Sequence, residues 1–278
     1  MKDFPQELVD QVIDELFFLV GKDNCYQGYK RFRYGPRSAH GISDYSLVSK
    51  AWASSTQKHH FSSLRLDCLD TLEKWRTGIA PDPEGVSRHV RKLVLHGFDP
   101  PDLEEFEEHL RAFTRVQCLT VKDCYDVLGL PSIMGWFPLM GSCLVEFRID
   151  DSPATPHTIA SLLAVLPMLQ TVQIYNLEAP EDADEAITPT PSRIPFFEGA
   201  NHFSLCSDYG DSGYPEGSLD WIPLSAQFGR LEIDMACSLH HTDIVNRWLA
   251  SSCDTLTKLS ILGDSDGMFP PKYLNSSR

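Results

Sequence analysis

Basic side chains are scarce in this chain of 278 residues, which carries 24 Lys and Arg against 39 Asp and Glu and a formal net charge of −15. Proteins that bind nucleic acids neutralise phosphates with clustered Lys and Arg. The charge balance therefore argues against a nucleic-acid-binding module. Basic or neutral proteins are the partners that such a chain favours.

Long apolar runs are also lacking, since no stretch reaches the roughly 18 residues that a membrane span needs. The chain is charged at Lys2 and Asp3 and polar again at Gln6 and Glu7, so no signal peptide is visible. The eight cysteines are scattered and include no Cys-x-x-Cys pair. We expect a protein of the cytoplasm, the nucleus or both, without membrane contact and with reduced thiols.

The motifs of common catalytic and nucleotide-binding sites are missing: the chain has no Gly-x-x-x-x-Gly-Lys-Ser/Thr, Gly-x-Gly-x-x-Gly, His-Glu-x-x-His or Gly-x-Ser-x-Gly. The pairs His59-His60 and His240-His241 are adjacent residues whose side chains diverge, and no cysteine or carboxylate lies at finger-like spacing. We expect no enzymatic activity, no cofactor and no metal. Binding of other proteins is the favoured class of function.

Apolar residues recur with a helical period near the start of the chain, at Leu8, Val12, Ile13 and Leu16. Pro5 suits a first helical turn because its missing N–H leaves no bond unmade. The pattern predicts a helix over about residues 5–19. Its apolar face is wide, which favours burial against a partner, and an ordinary amphipathic core helix is the alternative.

A second motif, Ser46-Leu47-Val48-Ser49-Lys50-Ala51-Trp52, follows further along the chain. Together with the opening Phe4-Pro5, it resembles an F-box, and its style is similar to the F-box families of mushroom-forming (basidiomycete) fungi. The resemblance implies a three-helix segment over 1–62 that docks on a Skp-family adaptor and through it on a cullin. The positions that it assigns to adaptor binding are Phe4, Pro5, Leu8, Ile13, Leu16, Leu47, Val48 and Trp52. We expect Leu8, Leu47 and Trp52 to contribute most, since buried apolar anchors dominate interfaces.

An apparent insertion over 21–41 separates the two motifs and is longer than the connector expected of an F-box. Its glycines and Pro36 predict a loop. Within it lies a basic and aromatic cluster over 29–37, which could bind RNA, a phosphopeptide or an acidic surface. A solvated loop that balances an acidic body is the alternative. The members of the cluster are Tyr29, Lys30, Arg31, Phe32, Arg33, Tyr34 and Arg37.

Short apolar-x-apolar runs return through the rest of the chain, at intervals of roughly 25–31 residues. They begin at Leu64, Leu93, Leu119, Phe147, Val172, Phe203, Leu231 and Leu259. Such spacing is similar to that of leucine-rich repeats, whose units each add one strand to a curved parallel sheet. Candidate helices lie between the runs at 102–113, 157–166 and 242–250. The sequence therefore predicts an α/β fold, with an irregular leucine-rich-repeat solenoid over 63–278, a curved parallel sheet and outer helices.

Two features make the predicted repeats uneven. The slot three residues after each run, which often caps the turn, varies among Cys124, Ser152, Leu177, Ala236 and Asp264. A Pro-rich acidic stretch over 179–191 lies in the longest interval and is best read as a flexible loop.

Polar residues at the middle of each run, and beside it, are the candidate substrate contacts. Because side chains alternate along a strand, these residues face away from the core, where a strand buried on both faces would be apolar. Simple solvation is the alternative for each. The middle residues are Arg65, Val94, Thr120, Arg148, Gln173, Ser204, Glu232 and Ser260, and the flanking ones are His96, Lys122, Asp150, Tyr175 and Asp234.

The two halves combine into one functional prediction. The resemblance implies a substrate-recognition adaptor of an SCF-type ubiquitin ligase, which transfers no ubiquitin itself and recruits a protein substrate through the repeat arc. The alternative is a repeat-based binding scaffold with a degenerate F-box that joins no ligase.

Overall fold

One parallel sheet organises the protein. The computed structural model describes residues 5–12, 52, 55–56, 58–59, 61–67, 87–99, 110–125, 127–175, 193–206, 219, 221–234 and 241–262, without the side chains of Asp234 and Leu262. Within these residues eight strands are hydrogen-bonded in sequence order, every neighbouring pair parallel. The strands are β1 (Ser63–Leu66), β2 (Lys92–His96), β3 (Cys118–Lys122), β4 (Glu146–Asp150), β5 (Thr171–Tyr175), β6 (Asn201–Cys206), β7 (Phe228–Asp234) and β8 (Lys258–Leu262).

Helical segments connect several of these strands. Helix α1 (Pro131–Met140) joins β3 to β4, α2 (Pro156–Ala164) joins β4 to β5, and α3 (Thr242–Ser251) joins β7 to β8. A 3₁₀ helix (Pro195–Glu198) precedes β6. The predicted helices at 157–166 and 242–250 are confirmed with slightly different ends. The one at 102–113 lies largely outside the described residues, and α1 is a helix that the sequence reading missed.

The predicted apolar-x-apolar runs all lie on strands and share one register. Leu64 is level with Leu93, Leu93 with Leu119, and the same row continues to Leu259. Most residues of this row, and of the row two positions later, are buried. A register slip of one residue would turn each apolar set to the other face. The α/β class and the sequential parallel sheet are therefore confirmed, and the fold is a solenoid-like stack.

Helices α1 and α2 cover the apolar face of the central strands. Both begin at a proline, which suits a first turn. The hydroxyl of Thr155 caps α2 by accepting a hydrogen bond from the backbone N–H of Thr158 at 3.1 Å. The ring of Phe137 meets that of Phe147 edge-on, with centroids 5.2 Å apart. The residues buried by the two helices are Ile133, Trp136, Phe137, Met140, Ile159, Ala160, Leu162 and Leu163.

Aromatic rings fill the core beside the 3₁₀ helix. Phe203 on β6 stacks on Phe228 of β7 at 5.6 Å between centroids and meets Phe197 at 6.0 Å. Trp221 and Phe196 lie 6.3 Å from the same ring. Four rings thus surround Phe203, whose side chain is fully buried.

The turns that follow β2, β3 and β4 repeat one backbone conformation. Gly97, Asp123 and Asp151 have φ of 69°, 50° and 48°, a left-handed region that Gly and Asp enter more readily than most residues. Each donates its N–H to a carbonyl of the following unit: Gly97 to Lys122 at 3.0 Å, Asp123 to Asp150 at 2.9 Å, and Asp151 to Tyr175 at 3.1 Å. The turns therefore tie neighbouring units together at the carboxyl edge of the sheet.

The residue after each turn carries the predicted capping role in two units. Ser152 is completely buried, accepts a hydrogen bond from the N–H of Cys124 at 3.1 Å and donates one to the carbonyl of Asp150 at 3.0 Å. The thiol of Cys124 donates to the carbonyl of Lys122. The capping prediction is confirmed at these two positions, and Leu177, Ala236 and Asp264 lie outside the described residues.

Replacing Ser152 by alanine is expected to destabilise the fold by about 1–3 kcal/mol, because the N–H of Cys124 would lose its buried acceptor. The exposed Ser142 is the matched control, and Ser142→Ala is expected to stay within about 0.5 kcal/mol of the parent. Urea unfolding of the three proteins measures the difference. Equal midpoints for the two variants would contradict the capping role.

No helix among the described residues is long and apolar enough to cross a membrane.

Candidate binding face

The sheet has a second face, built from the strand positions that alternate with the core. We call it the polar face. Its central row is level across all eight strands and contains Arg65, Val94, Thr120, Arg148, Gln173, Ser204, Glu232 and Ser260. A second row at the carboxyl ends of the strands contains His96, Lys122, Asp150 and Tyr175. The register therefore brings the predicted substrate-contact positions onto one surface.

Exposure divides the polar face into two parts. From Arg65 to Gln173 the central row is half-buried and reachable by a partner. In contrast, Ser204 is 0% exposed, Ser260 7% and Glu232 9%. The sequence reading took all eight middle positions as exposed, which is wrong for these three. Alternation along a strand fixes which face a side chain takes, but not whether that face is covered. The candidate binding face is therefore its part on β1 to β5.

An ion-pair network crosses the carboxyl edge of this part. Arg65 pairs with Asp67 at the end of β1. The ring of His96 lies between two carboxylates, with Nδ1 3.1 Å from Asp67 and Nε2 2.9 Å from Asp123. Asp123 belongs to the left-handed turn after β3. The network thus links side chains of three successive units, which holds their orientations relative to one another.

Lys122 is the centre of the next section. Its ammonium group lies 3.1 Å from Asp150, 3.4 Å from Asp151 and 3.9 Å from Asp123. Partial burial alone would lower the pKa of Lys122, yet the pKa is raised because Asp150 accepts a hydrogen bond and the neighbouring carboxylates add negative charge. The lysine therefore stays charged, and its ammonium group lies within ion-pair distance of all three carboxylates.

Arg148 closes the network at its far end. Its guanidinium donates to Asp150 at 3.0 Å and stacks 4.5 Å above the ring of Tyr175. Its buried Nε has no hydrogen-bond partner in the described part of the chain. Stacking and pairing pre-organise this side chain, so little rotamer entropy remains to be lost on binding. Arg148 and Tyr175 are the best-defined contact pair of the predicted set, while Thr120 and Gln173 lie half-buried in the central row.

A second charge cluster lies at the other end of the sheet, around the buried carboxylate of Glu232. Glu232 accepts a hydrogen bond from Arg230 at 2.5 Å and lies 3.5 Å from His202 and 3.6 Å from Lys258. Burial would raise the pKa of Glu232, but the pKa is lowered because Arg230 donates to the carboxylate and the other cations surround it. The pKa of His202 is also lowered, first by burial and then by Arg230. This cluster joins strands, and Glu232 is not an exposed substrate contact as predicted.

The described residues contain no group of three or more His, Cys, Asp or Glu that could hold a metal ion. The histidine of the network instead bridges two aspartates across neighbouring units. The chemistry of the polar face is therefore ionic and aromatic.

The start of the chain forms a second candidate site. Residues 6–12 are helical, with Val9 buried and with Leu8 and Val12 each 46% exposed. Asp10 accepts a hydrogen bond from Ser55, and Gln6 donates to Ser55 at 2.8 Å. The hydrogen bonds that Ser55 and Gln6 donate to the carboxylate of Asp10 lower its pKa. The first helix is thereby joined to helical residues of the segment 52–59, where Trp52 is half-buried.

Several predicted positions lie outside the described residues. Among the adaptor-binding positions these are Phe4, Ile13, Leu16, Leu47 and Val48, and the cluster over 29–37 and the acidic stretch over 179–191 also fall there. Pro5 is exposed, and Asp234 ends β7 with its side chain outside the description. Predictions for these residues stay predictions.

The sequence reading missed three acidic members of the network, Asp67, Asp123 and Asp151. The sequence contains a signal for them, because each of these aspartates is the first residue after a strand. A carboxylate at that position reaches the lysine or histidine of the neighbouring unit. The left-handed turn that places Asp123 and Asp151 is a backbone property that the pattern of apolar residues does not report.

Comparison with known proteins gives no match: no protein-family model, no curated protein and no solved structure resembles the chain. The F-box resemblance therefore rests on the residues quoted above alone, and the solenoid-like stack rests on the repeated runs and on the parallel sheet.

Proposed function

We propose that this protein is a substrate-recognition adaptor of an SCF-type ubiquitin ligase. Its F-box-like segment binds a Skp-family adaptor, and through it a cullin, while an irregular leucine-rich-repeat arc binds a protein substrate. The observation that carries the proposal is the exposed pair Leu8 and Val12 on a helix that is itself anchored to the segment 52–59. The protein acts by holding two partners and carries out no transfer of its own.

The exposed pair supports the docking half of the proposal. Single exposed apolar residues are ordinary, but Leu8 and Val12 are four residues apart and share one stripe of the helix. Val9, about 60° around the helix from Val12, is only 2% exposed. An apolar helix face of which one edge is buried and the rest exposed is suited to a partner that covers the exposed part.

Contact between the two motif segments supports the same half. The long insertion over 21–41 separates Pro5 from Trp52 in sequence, yet Gln6 and Asp10 bond to Ser55. An F-box-like surface needs residues of both segments on one body. The bonds at Ser55 join the described ends of the two segments, which supports the proposal.

The polar face on β1 to β5 supports the substrate half. Its charges are of both signs and are already paired within the chain, through Lys122, Asp150 and Arg148. Such pre-organised groups confer specificity more than raw affinity. A partner with a mixed polar surface is the substrate that this face fits.

A binding experiment with a matched control tests the docking half. Leu8→Asp is expected to reduce affinity for a Skp-family adaptor by at least about 30-fold, the effect of losing an interface anchor. Leu139 is also 46% exposed but lies in α1. Leu139→Asp is therefore expected to leave affinity unchanged. Surface plasmon resonance with purified full-length chains measures all three.

Two outcomes contradict the proposal. Absence of binding by the parent chain would favour the alternative, a repeat-based scaffold with a degenerate F-box. Equal affinity for the Leu8→Asp and parent chains would place any adaptor site elsewhere.

A further inference from the structure

A group of basic side chains gathers at the amino edge of the sheet. Arg88, His89 and Arg91 precede β2, and Arg115 precedes β3. Since the strands are parallel and adjacent, residues that precede them meet at the same edge. We call these four residues the basic cluster. It stands out in a chain whose net charge is −15.

Hydrogen bonds of Arg91 connect the segments of the basic cluster. Its backbone N–H donates to the carbonyl of Ser62 at 2.8 Å. Its guanidinium Nη1 lies 2.8 Å from the carbonyl oxygen of Arg88 and 3.4 Å from that of Arg115. One side chain thus joins the segments that carry the other arginines. Arg88 and Arg115 are themselves exposed, so their guanidinium groups face solvent on a fixed backbone.

His89 reports the electrostatic potential at this place. Its pKa is lowered, first by burial and then by the positive charges of Arg88, Arg91, Arg115 and Lys58. Every charge that acts on it has the same sign. The cluster therefore creates a local positive potential on an acidic protein. The charge of Lys58 adds to this potential and also contributes to lowering the pKa of Asp10.

The three arginines of the cluster lack carboxylate partners. Among the described residues, no ion pair includes Arg88, Arg91 or Arg115, and Arg91 bonds only to backbone carbonyls. By contrast, Arg65, Arg148, Arg193 and Arg230 are each paired with an Asp or Glu. An unneutralised group of guanidinium ions retains its capacity to bind an external anion.

We propose that the basic cluster is a docking site for an acidic segment of a protein partner, an extended stretch rich in Asp and Glu. Guanidinium groups bind carboxylates through paired N–H donors. The exposed Arg88 and Arg115 belong to neighbouring units along an edge, an arrangement that fits carboxylates spaced along an extended chain. An RNA extends its charge beyond the cluster and over the acidic remainder of the protein, which repels it, whereas a short acidic segment confines its carboxylates to the cluster. This inference does not depend on the ligase proposal.

Fluorescence anisotropy with a labelled peptide of alternating Glu and Ser tests the site on the full chain at low ionic strength. A Gln and Ser peptide of equal length is the control ligand. We expect the Glu peptide to bind at least about 10-fold more tightly. The double variant Arg88→Gln with Arg115→Gln is expected to lose at least about 10-fold in affinity. It leaves Arg91 and its backbone bonds in place, and thermal melting checks that it folds.

The matched control removes two exposed arginines elsewhere, with Arg193→Gln and Arg247→Gln. The net charge changes equally in both double variants, so a site-specific effect requires the control to lose less than about 2-fold. Equal losses in the two variants would overturn the proposal, as would tighter binding of a single-stranded RNA of equal charge. The surface plasmon resonance measurement at Leu8 reports on a different surface, so either proposal can fail alone.

Discussion

Replacing Phe203 by alanine is expected to destabilise the protein by about 3–5 kcal/mol, the usual range for a fully buried phenylalanine. Four aromatic rings surround this side chain, among them Phe228 in stacked contact at 5.6 Å and Phe197 edge-on at 6.0 Å. The change removes apolar burial and leaves a cavity whose walls are large rings. Such rings are attached to β7 and the 3₁₀ helix and collapse poorly into the space.

The exposed Tyr125 supplies the control for this prediction. It is 56% exposed, and Tyr125→Ala is expected to change the free energy of unfolding by no more than about 0.5 kcal/mol. Urea denaturation monitored by circular dichroism compares the two variants with the parent. A loss below about 1 kcal/mol at Phe203 would contradict the aromatic core described for β6 and β7.

Replacing Glu232 by alanine is expected to lower the free energy of unfolding by about 1–3 kcal/mol. The carboxylate accepts from Arg230 at 2.5 Å and lies close to His202 and Lys258. Removing the carboxylate leaves Arg230 and Lys258 without their shared partner, and because these two side chains are 41% and 44% exposed, hydration offsets part of the loss. Glu198, in its exposed pair with Arg193, is the control, and Glu198→Ala is expected to leave the free energy of unfolding unchanged within error.

The same carboxylate gives stability a dependence on pH. The pKa of Glu232 is lowered in the folded protein, so its contribution is fully present above the ordinary value of 4.5 and is lost as the pH falls through the lower folded value. His202 lowers stability at a higher pH than Glu232 does. Its pKa is lowered in the folded protein, so below the ordinary value of 6.5 the unfolded chain binds the proton more readily and the folded state loses stability. Unfolding midpoints from about pH 7 to about pH 3 should therefore fall less steeply at the acid end for Glu232→Gln than for the parent. Parallel profiles would contradict the folded-state role of Glu232.

The strands are predictable because their pattern is local. Each of the eight runs alternates apolar and other residues, and regular spacing then places Leu64, Leu93 and their counterparts in one row. Helix α1 escapes the same reasoning, since its sequence contains Pro131, Gly135 and Pro138 and is apolar on most sides. Its packing against β4, through Phe137 and Phe147, stabilises a helix that local propensity does not favour.

The candidate sites are predictable only in part, because they depend on which segments meet. Alternation places Arg148 and Lys122 on the polar face, but the burial of Ser204 and Glu232 depends on tertiary structure. Arg88, His89 and Arg91 are neighbours in sequence, whereas Arg115 joins them only through parallel stacking of β2 and β3. Whether a charged side chain has an ion-pair partner likewise depends on distances in the folded protein. No pattern of residue types contains that information.

The most direct test of the proposed function is affinity purification of the full chain from its native cells, with quantification of the Skp-family adaptor and the cullin that accompany it. A variant with Leu8, Leu47 and Trp52 all replaced by alanine runs in parallel. The proposal predicts that the parent recovers both proteins in near-equal amounts and that the variant loses both together while still folding. Recovery of neither protein by the parent would contradict the ligase-adaptor function and leave a binding scaffold.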